Sequence, residues 1–130
     1  MGVFHGSCLC GKVKYEINGN IIKFRYCFCP RCQKVSGAAQ VANILVNQDQ
    51  ITWIQGEENI TRYDLPEAKR FAHGFCKTCG SPMPYELRDK TGMVIPAGSL
   101  DDNPEIKPQG IIYWDHRPAW YLEPKDLEKM

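Results

Sequence analysis

The sequence predicts a mainly β fold of coiled or sandwiched antiparallel sheets with very little helix. Three observations predict it. Short apolar and alternating runs recur along the chain, turn residues separate them at close intervals, and nine prolines break most windows long enough for a helix. At 130 residues the chain has the length of one domain, 1–130, with enough sequence for a core.

The first run, residues 12–17, alternates with Val13, Tyr15 and Ile17 on one face. Further runs follow at 41–46, 51–54, 60–63, 70–75, 84–87, 93–97 and 111–114. Asn18-Gly19, Gln55-Gly56, Thr91-Gly92 and Asn103-Pro104 supply turn chemistry between them. Two short helices are expected. One follows Pro30 and stops at Gly37, where glycine closes a helix readily. The other runs over 124–130, with Pro124 in its first turn.

Composition narrows the function classes. Hydrophobic residues make up 43% and charged residues 24%, which is ordinary for a globular protein. The formal net charge is +1 and the basic residues are scattered, so no nucleic-acid surface is expected. No apolar run reaches the ~20 residues of a membrane helix. Neither the charged nor the apolar part of a signal peptide stands at the start, and a cytoplasmic location is expected. Oligomeric state is not legible.

Cysteine usage is the outlier. Seven thiols are many for a reducing compartment, and an odd number leaves one over in any full disulfide scheme. They fall in three groups: Cys8 and Cys10, then Cys27, Cys29 and Cys32, then Cys76 and Cys79. Thiolates so spaced grip a tetrahedral metal, and zinc is the metal they suit. Gly11 and Gly80 each follow the second ligand of a pair, where a positive φ lets the turn point both sulfurs inward. The middle group has no such glycine. The two outer pairs therefore read as matched knuckles of one closed four-thiolate structural zinc site. Three cysteines remain, and three protein ligands with an open fourth position is the pattern of a catalytic zinc. That gives two zincs per chain, the three-cysteine site being the one more readily left partly empty. Two other readings stay open: His5, His73 or His116 completes the middle group as a second structural site, or the pairs are redox dithiols.

An open zinc held by three thiolates is a weak Lewis acid but holds a substrate thiol as thiolate. Such a sulfur attacks a small aldehyde, and the reverse reaction breaks the carbon–sulfur bond. Arg31 and Lys34, beside the ligands, suit a carboxylate-bearing thiol. Ser36, Ser99 and Asp101 are candidates for substrate contact, or else turn and cap residues. Tyr113, Trp114, Trp120 and Tyr121 are expected in the core or a pocket wall.

The segments from Gly6 to Tyr15, Cys27 to Gly37 and Phe75 to Pro82, with Gly98-Ser99-Leu100-Asp101 and Arg117-Pro118-Ala119-Trp120, together resemble the glutathione-dependent formaldehyde-activating (GFA) family, which includes centromere protein V. The resemblance spans nearly the whole chain. It implies a β-tent fold of coiled antiparallel sheets around zinc. It assigns Cys8, Cys10, Cys76 and Cys79 to a structural zinc and Cys27, Cys29 and Cys32 to a catalytic one. It implies a carbon–sulfur lyase joining glutathione to formaldehyde as S-hydroxymethylglutathione. Phe28 stands where the family usually has histidine, and Gly110-Ile111-Ile112 replaces a segment that often carries another. The alternative is a non-catalytic, zinc-stabilised binding or chaperone-like module on the same fold.

Overall fold

The computed structural model describes residues 2–130 and is mainly β, as the sequence predicts. Strands β1 (Val3–Ser7), β2 (Lys14–Asn18) and β5 (Ile51–Gln55) form one antiparallel sheet in the order β1-β2-β5. A second sheet runs β11-β3-β4-β10-β9, from Gly110–Ile112, Lys23–Cys27, Val41–Val46, Met93–Pro96 and Tyr85–Glu86. The third joins β6 (Ile60–Asp64), β7 (Ala72–Cys76) and β8 (Pro82–Met83). One pairing departs from the antiparallel expectation: β11 lies parallel to β3, with Gly110 opposite Arg25 and Ile112 opposite Cys27.

The alternation at the start of the chain behaves as predicted. Val13, Tyr15 and Ile17 are fully buried and join Phe4, Phe24, Ile44, Val46, Met83 and Ile95 in one core, which also includes Cys8 and Cys76. Burying Ile17 or Ile44 in full contributes about 2 kcal/mol each.

Three strands are absent from the sequence reading: β1, β3 and the two-residue β8. β1 carries Gly6 as its fourth residue, and glycine weakens a strand signal. The Tyr15 ring of the neighbouring strand lies over that glycine, and a Cβ there would stand 2.2 Å from the ring. β3 does alternate, with Phe24 and Tyr26 on one face and Lys23, Arg25 and Cys27 on the other, but over only five residues that run straight into the cysteine group.

The helix α1 (Pro30–Ser36) forms as expected. Pro30 sits in its first turn and Gly37, at φ 69, closes it with a backbone bond to Gln33 O of 2.8 Å. The expected helix over 124–130 does not form beyond a single 3-10 turn, Pro124–Asp126. Seven residues with exposed Leu127 and Met130 have no partner face to repay helix nucleation. The run 111–114 ends early: Tyr113 takes the left-handed conformation and Trp114 opens a 3-10 turn.

Candidate metal centres and the cleft beside one of them

The structure brings the seven cysteines together in two groups. Cys8, Cys10, Cys76 and Cys79 place their sulfurs within 4.8 Å of one another, and so do Cys27, Cys29 and Cys32. Four and three is the division that the paired glycines indicate. Gly11 and Gly80 adopt φ 81 and φ 77, the left-handed turns that aim each pair inward. The Gly80 N–H bonds Cys76 O at 2.8 Å and the Gly11 N–H bonds Cys8 O at 3.1 Å, so each pair is a closed backbone turn.

Both groups fit a tetrahedral thiolate metal. A zinc with sulfurs at ~2.3 Å spaces them about 3.8 Å apart. Cys8 and Cys10 are 3.5 Å apart, Cys10 and Cys76 3.8 Å, and Cys27 and Cys32 3.5 Å. Donors from outside already face the first group. The Val13 N–H lies 3.3 Å from Cys8 Sγ and Asn59 Nδ2 lies 3.4 Å from Cys76 Sγ. Asn59 is a site residue the sequence did not single out.

Electrostatics lower some sulfurs of each group and raise others, Cys10 being pushed up to about 11. The Ser81 hydroxyl, then the N–H groups of Ser81 and Cys10, hold Cys79 down to about 5. The Cys32 thiol donates to Cys27 and, against the cost of burial, holds Cys27 down to about 6. Cys32 moves up for the same reason, being the donor to Cys27 and buried as well. Each group thus shares its protons among adjacent sulfurs, the protons a metal displaces on binding.

No histidine, aspartate or glutamate joins Cys27, Cys29 and Cys32 among the described residues. His5 bonds Asp102 at 2.7 Å and Glu16 at 3.3 Å. His73 stacks on Phe75, and burial lowers its basicity. The His116 ring packs against Tyr113.

The three cysteines instead open on a cleft of about 590 Å³, within the ~300–1,000 Å³ common for small-molecule sites. The strand period puts Lys23, Arg25 and Cys27 on its wall from β3. Arg31 enters from α1, Asn43 from β4, Lys69 and Arg70 from the segment before β7, and Tyr85 from β9. Of the two cations expected here, Arg31 lines the cleft and Lys34 does not; Lys23, Arg25, Lys69 and Arg70 were not foreseen. Burial, reinforced by the nearby cysteine charges, raises the Tyr85 hydroxyl, so it stays protonated.

Tyr113 also lines the cleft, at φ 59 and ψ 35. A bulky residue held there costs about 1–3 kcal/mol, and neighbouring bonds hold it. The Phe28 N–H bonds Ile112 O at 3.0 Å, and Gln33 Nε2 donates to both Phe28 O and His116 O, at 2.7 and 3.0 Å.

Phe28 itself points away. It is fully buried, its ring edge-to-face with Trp114 and Tyr121 at 5.2 and 5.0 Å. Trp120, by contrast, is 69% exposed rather than in a core or pocket wall. Ser36, Ser99 and Asp101 do local work away from the cleft. Ser36 Oγ donates to Cys32 O at 2.7 Å and accepts the Ala38 N–H. Ser99 Oγ donates to Pro96 O and receives the Tyr15 hydroxyl. Asp101 accepts the Ser7 hydroxyl at 2.8 Å.

Fold and sites define a mainly β protein with two cysteine clusters able to hold metal ions, one of them beside a cationic cleft. The chain belongs to the glutathione-dependent formaldehyde-activating enzyme family, whose model matches residues 3–116. A crystal structure of a Rhodobacter sphaeroides protein, a Northeast Structural Genomics target, is similar at TM-score 0.62 and 25% identity, over 82% of this chain and 98% of that one. No curated protein matches the chain. Among the described residues, no helix is long and apolar enough to cross a membrane.

Proposed function

We propose that this is a single-domain, two-zinc, carbon–sulfur lyase-like enzyme acting on thiol–aldehyde adducts, in the manner of S-(hydroxymethyl)glutathione synthesis. Cys8, Cys10, Cys76 and Cys79 hold the structural zinc; Cys27, Cys29 and Cys32 hold the catalytic one. The observation that carries the reading is the three-sulfur group with no fourth histidine, cysteine or carboxylate donor among the described residues, set in the wall of a cleft. Membership of the family supports it.

Zinc held by three thiolates, when bound, offers a position at which a substrate thiol is kept deprotonated. The chain's own residues do the rest. Arg25 and Arg31 present guanidinium forks to carboxylates of the thiol and orient it. Asn43 and the Tyr85 hydroxyl are neutral polar groups of the same cleft wall, available to hydrogen-bond the aldehyde oxygen. The new bond joins the thiol sulfur to the aldehyde carbon. The thiol proton ends on the aldehyde oxygen as the hydroxyl of the adduct. The reverse reaction returns both.

The test is NMR exchange between formaldehyde and glutathione with and without protein, the spontaneous rate being subtracted. Wild type should accelerate exchange and carry two zincs. Cys32→Ser should carry one zinc, retain its circular dichroism spectrum and lose the acceleration. Exchange at the spontaneous rate with both zincs bound would sink the proposal.

A further inference from the structure

Five cations line the cleft beside Cys27, Cys29 and Cys32, namely Lys23, Arg25, Arg31, Lys69 and Arg70. Among the described residues, no aspartate or glutamate lines it. Among the described residues Arg70 alone of the five has an ion-pair partner, Asp89, with Nε 2.8 Å from Oδ2. Asp89 is in turn held by Thr91 and is not a cleft-lining residue. The five arrive from three separate segments, so the charge is built by the fold rather than by a basic run in the sequence.

Count the charges as a ligand would meet them. Asp89 removes about one, and three thiolates around a divalent ion remove about one more. A net of about +3 remains, concentrated in one concave site whose walls focus the field. The neutral groups of the wall, Asn43, Thr91, Tyr85 and Tyr113, supply hydrogen bonds but no negative charge.

Glutathione is an imperfect match for this wall. Its two carboxylates suit the cations, but its α-ammonium is charged at neutral pH and needs an anion. Among the described residues the cleft wall offers the ammonium no carboxylate, only neutral acceptors set among five cations. A thiol of similar length lacking that ammonium keeps every favourable contact and sheds the unfavourable one. We propose that the cleft selects a thiol bearing two or more anionic groups and no ammonium, and that glutathione is the poorer of its ligands. This rests on the thiol-binding role of the three-cysteine site but is separable from any aldehyde chemistry.

The separation comes from ligands with serine in place of cysteine, which have neither sulfur for the metal nor thiol for an aldehyde. Zinc-loaded protein is titrated calorimetrically with γ-glutamyl-seryl-glycine, with its deaminated form glutaryl-seryl-glycine, and with the neutral diamide of the latter. Phosphopantothenate serves as the phosphate arm. The deaminated dicarboxylate should bind about tenfold tighter than the amino form at low salt, and the ratio should shrink toward two at 0.5 M salt as exposed charges are screened. The diamide should bind at least tenfold more weakly than the dicarboxylate. If phosphopantothenate binds tighter than the dicarboxylate, the favoured anion is phosphate; if weaker, carboxylate. Lys69→Glu is an exposed change that places an acid in the wall and should bring the amino and deaminated forms to near-equal affinity. Its folding is checked by its zinc content.

Equal or tighter binding of the amino form to wild type would overturn the proposal. So would binding of neither peptide, or a preference that salt leaves unchanged. A failed formaldehyde exchange alongside the expected affinity order would remove the lyase reading and leave this one standing. Normal exchange with the opposite order would do the reverse.

Discussion

Replacing one half-buried cysteine in each cluster separates what the two sites do for stability. Cys79 and Cys29 are both partly buried, so exchanging sulfur for oxygen costs similar packing at each. The chain they hold together differs. The first cluster ties Cys10 to Cys76 across 66 residues, while Cys27 and Cys32 in the second are five apart. If metal ligation is treated as a cross-link, loop-closure entropy gives about 4 kcal/mol for the longer loop and about 2 kcal/mol for the shorter. Cys79→Ser should therefore cost about 2 kcal/mol more than Cys29→Ser. That is about a thirtyfold difference in the folded-to-unfolded ratio. With a urea slope near 2 kcal/mol/M, the two midpoints should lie ~1 M apart. The assay is urea unfolding by fluorescence at fixed free zinc, with metal content measured on each variant to establish that one ion has gone. Equal losses, or the larger loss in Cys29→Ser, would refute the division into a fold-tying site and a local one.

Two further outcomes are expected. Phe28→His should lower stability by about 3 kcal/mol in thermal or chemical unfolding, because it puts a polar ring among Trp114 and Tyr121, and it should leave the formaldehyde exchange rate no higher. A stable variant with raised activity would mean that position 28 faces the cleft. His5 should titrate above 6.5 by NMR, chiefly through its hydrogen bond to Asp102. The stabilisation from its raised value is complete below 6.5 and is lost as pH rises through the folded-state value. Asp102 is lowered by the same bond, so its share is lost as pH falls through its own folded-state value. Asp102→Asn should return His5 toward 6.5, and a wild-type His5 at or below 6.5 would contradict the pairing.

The sulfur chemistry was legible because it is written locally. Cysteines one or two residues apart, each outer pair closed by a glycine, announce their own geometry without reference to the rest of the chain. The core strand with Val13, Tyr15 and Ile17 was legible because one face of it is buried throughout. The cleft was not legible. Lys23 and Arg25 lie on β3, Arg31 on α1, and Lys69 and Arg70 on the segment before β7, and nothing in a sequence with net charge +1 says that they converge. β3 alternates Phe24 and Tyr26 with Lys23 and Arg25, but its five residues make too short a run to stand out beside the cysteine group that follows. β1 was hidden by Gly6, whose lack of a side chain makes room for Tyr15.

The two clusters sit differently in the fold, and that difference explains how one of them is left with three sulfurs. Cys8 and Cys76 belong to the main hydrophobic core, so the four-sulfur group closes the sheets on themselves. Cys27 ends β3, which is paired over its whole length with β4, and Cys32 lies in α1, capped at Gly37. Backbone hydrogen bonds therefore already hold the elements that carry the three-sulfur group. Between Cys27 and Cys29 the chain still alternates as a strand does, with both sulfurs toward the cleft and Phe28 toward the aromatic cluster behind it. Phe28 consequently belongs to the packing behind the sulfurs and not to the cleft wall. If the proposed function holds, the cationic lining in front of the sulfurs thus bears on the choice of thiol more directly than the residue between them does.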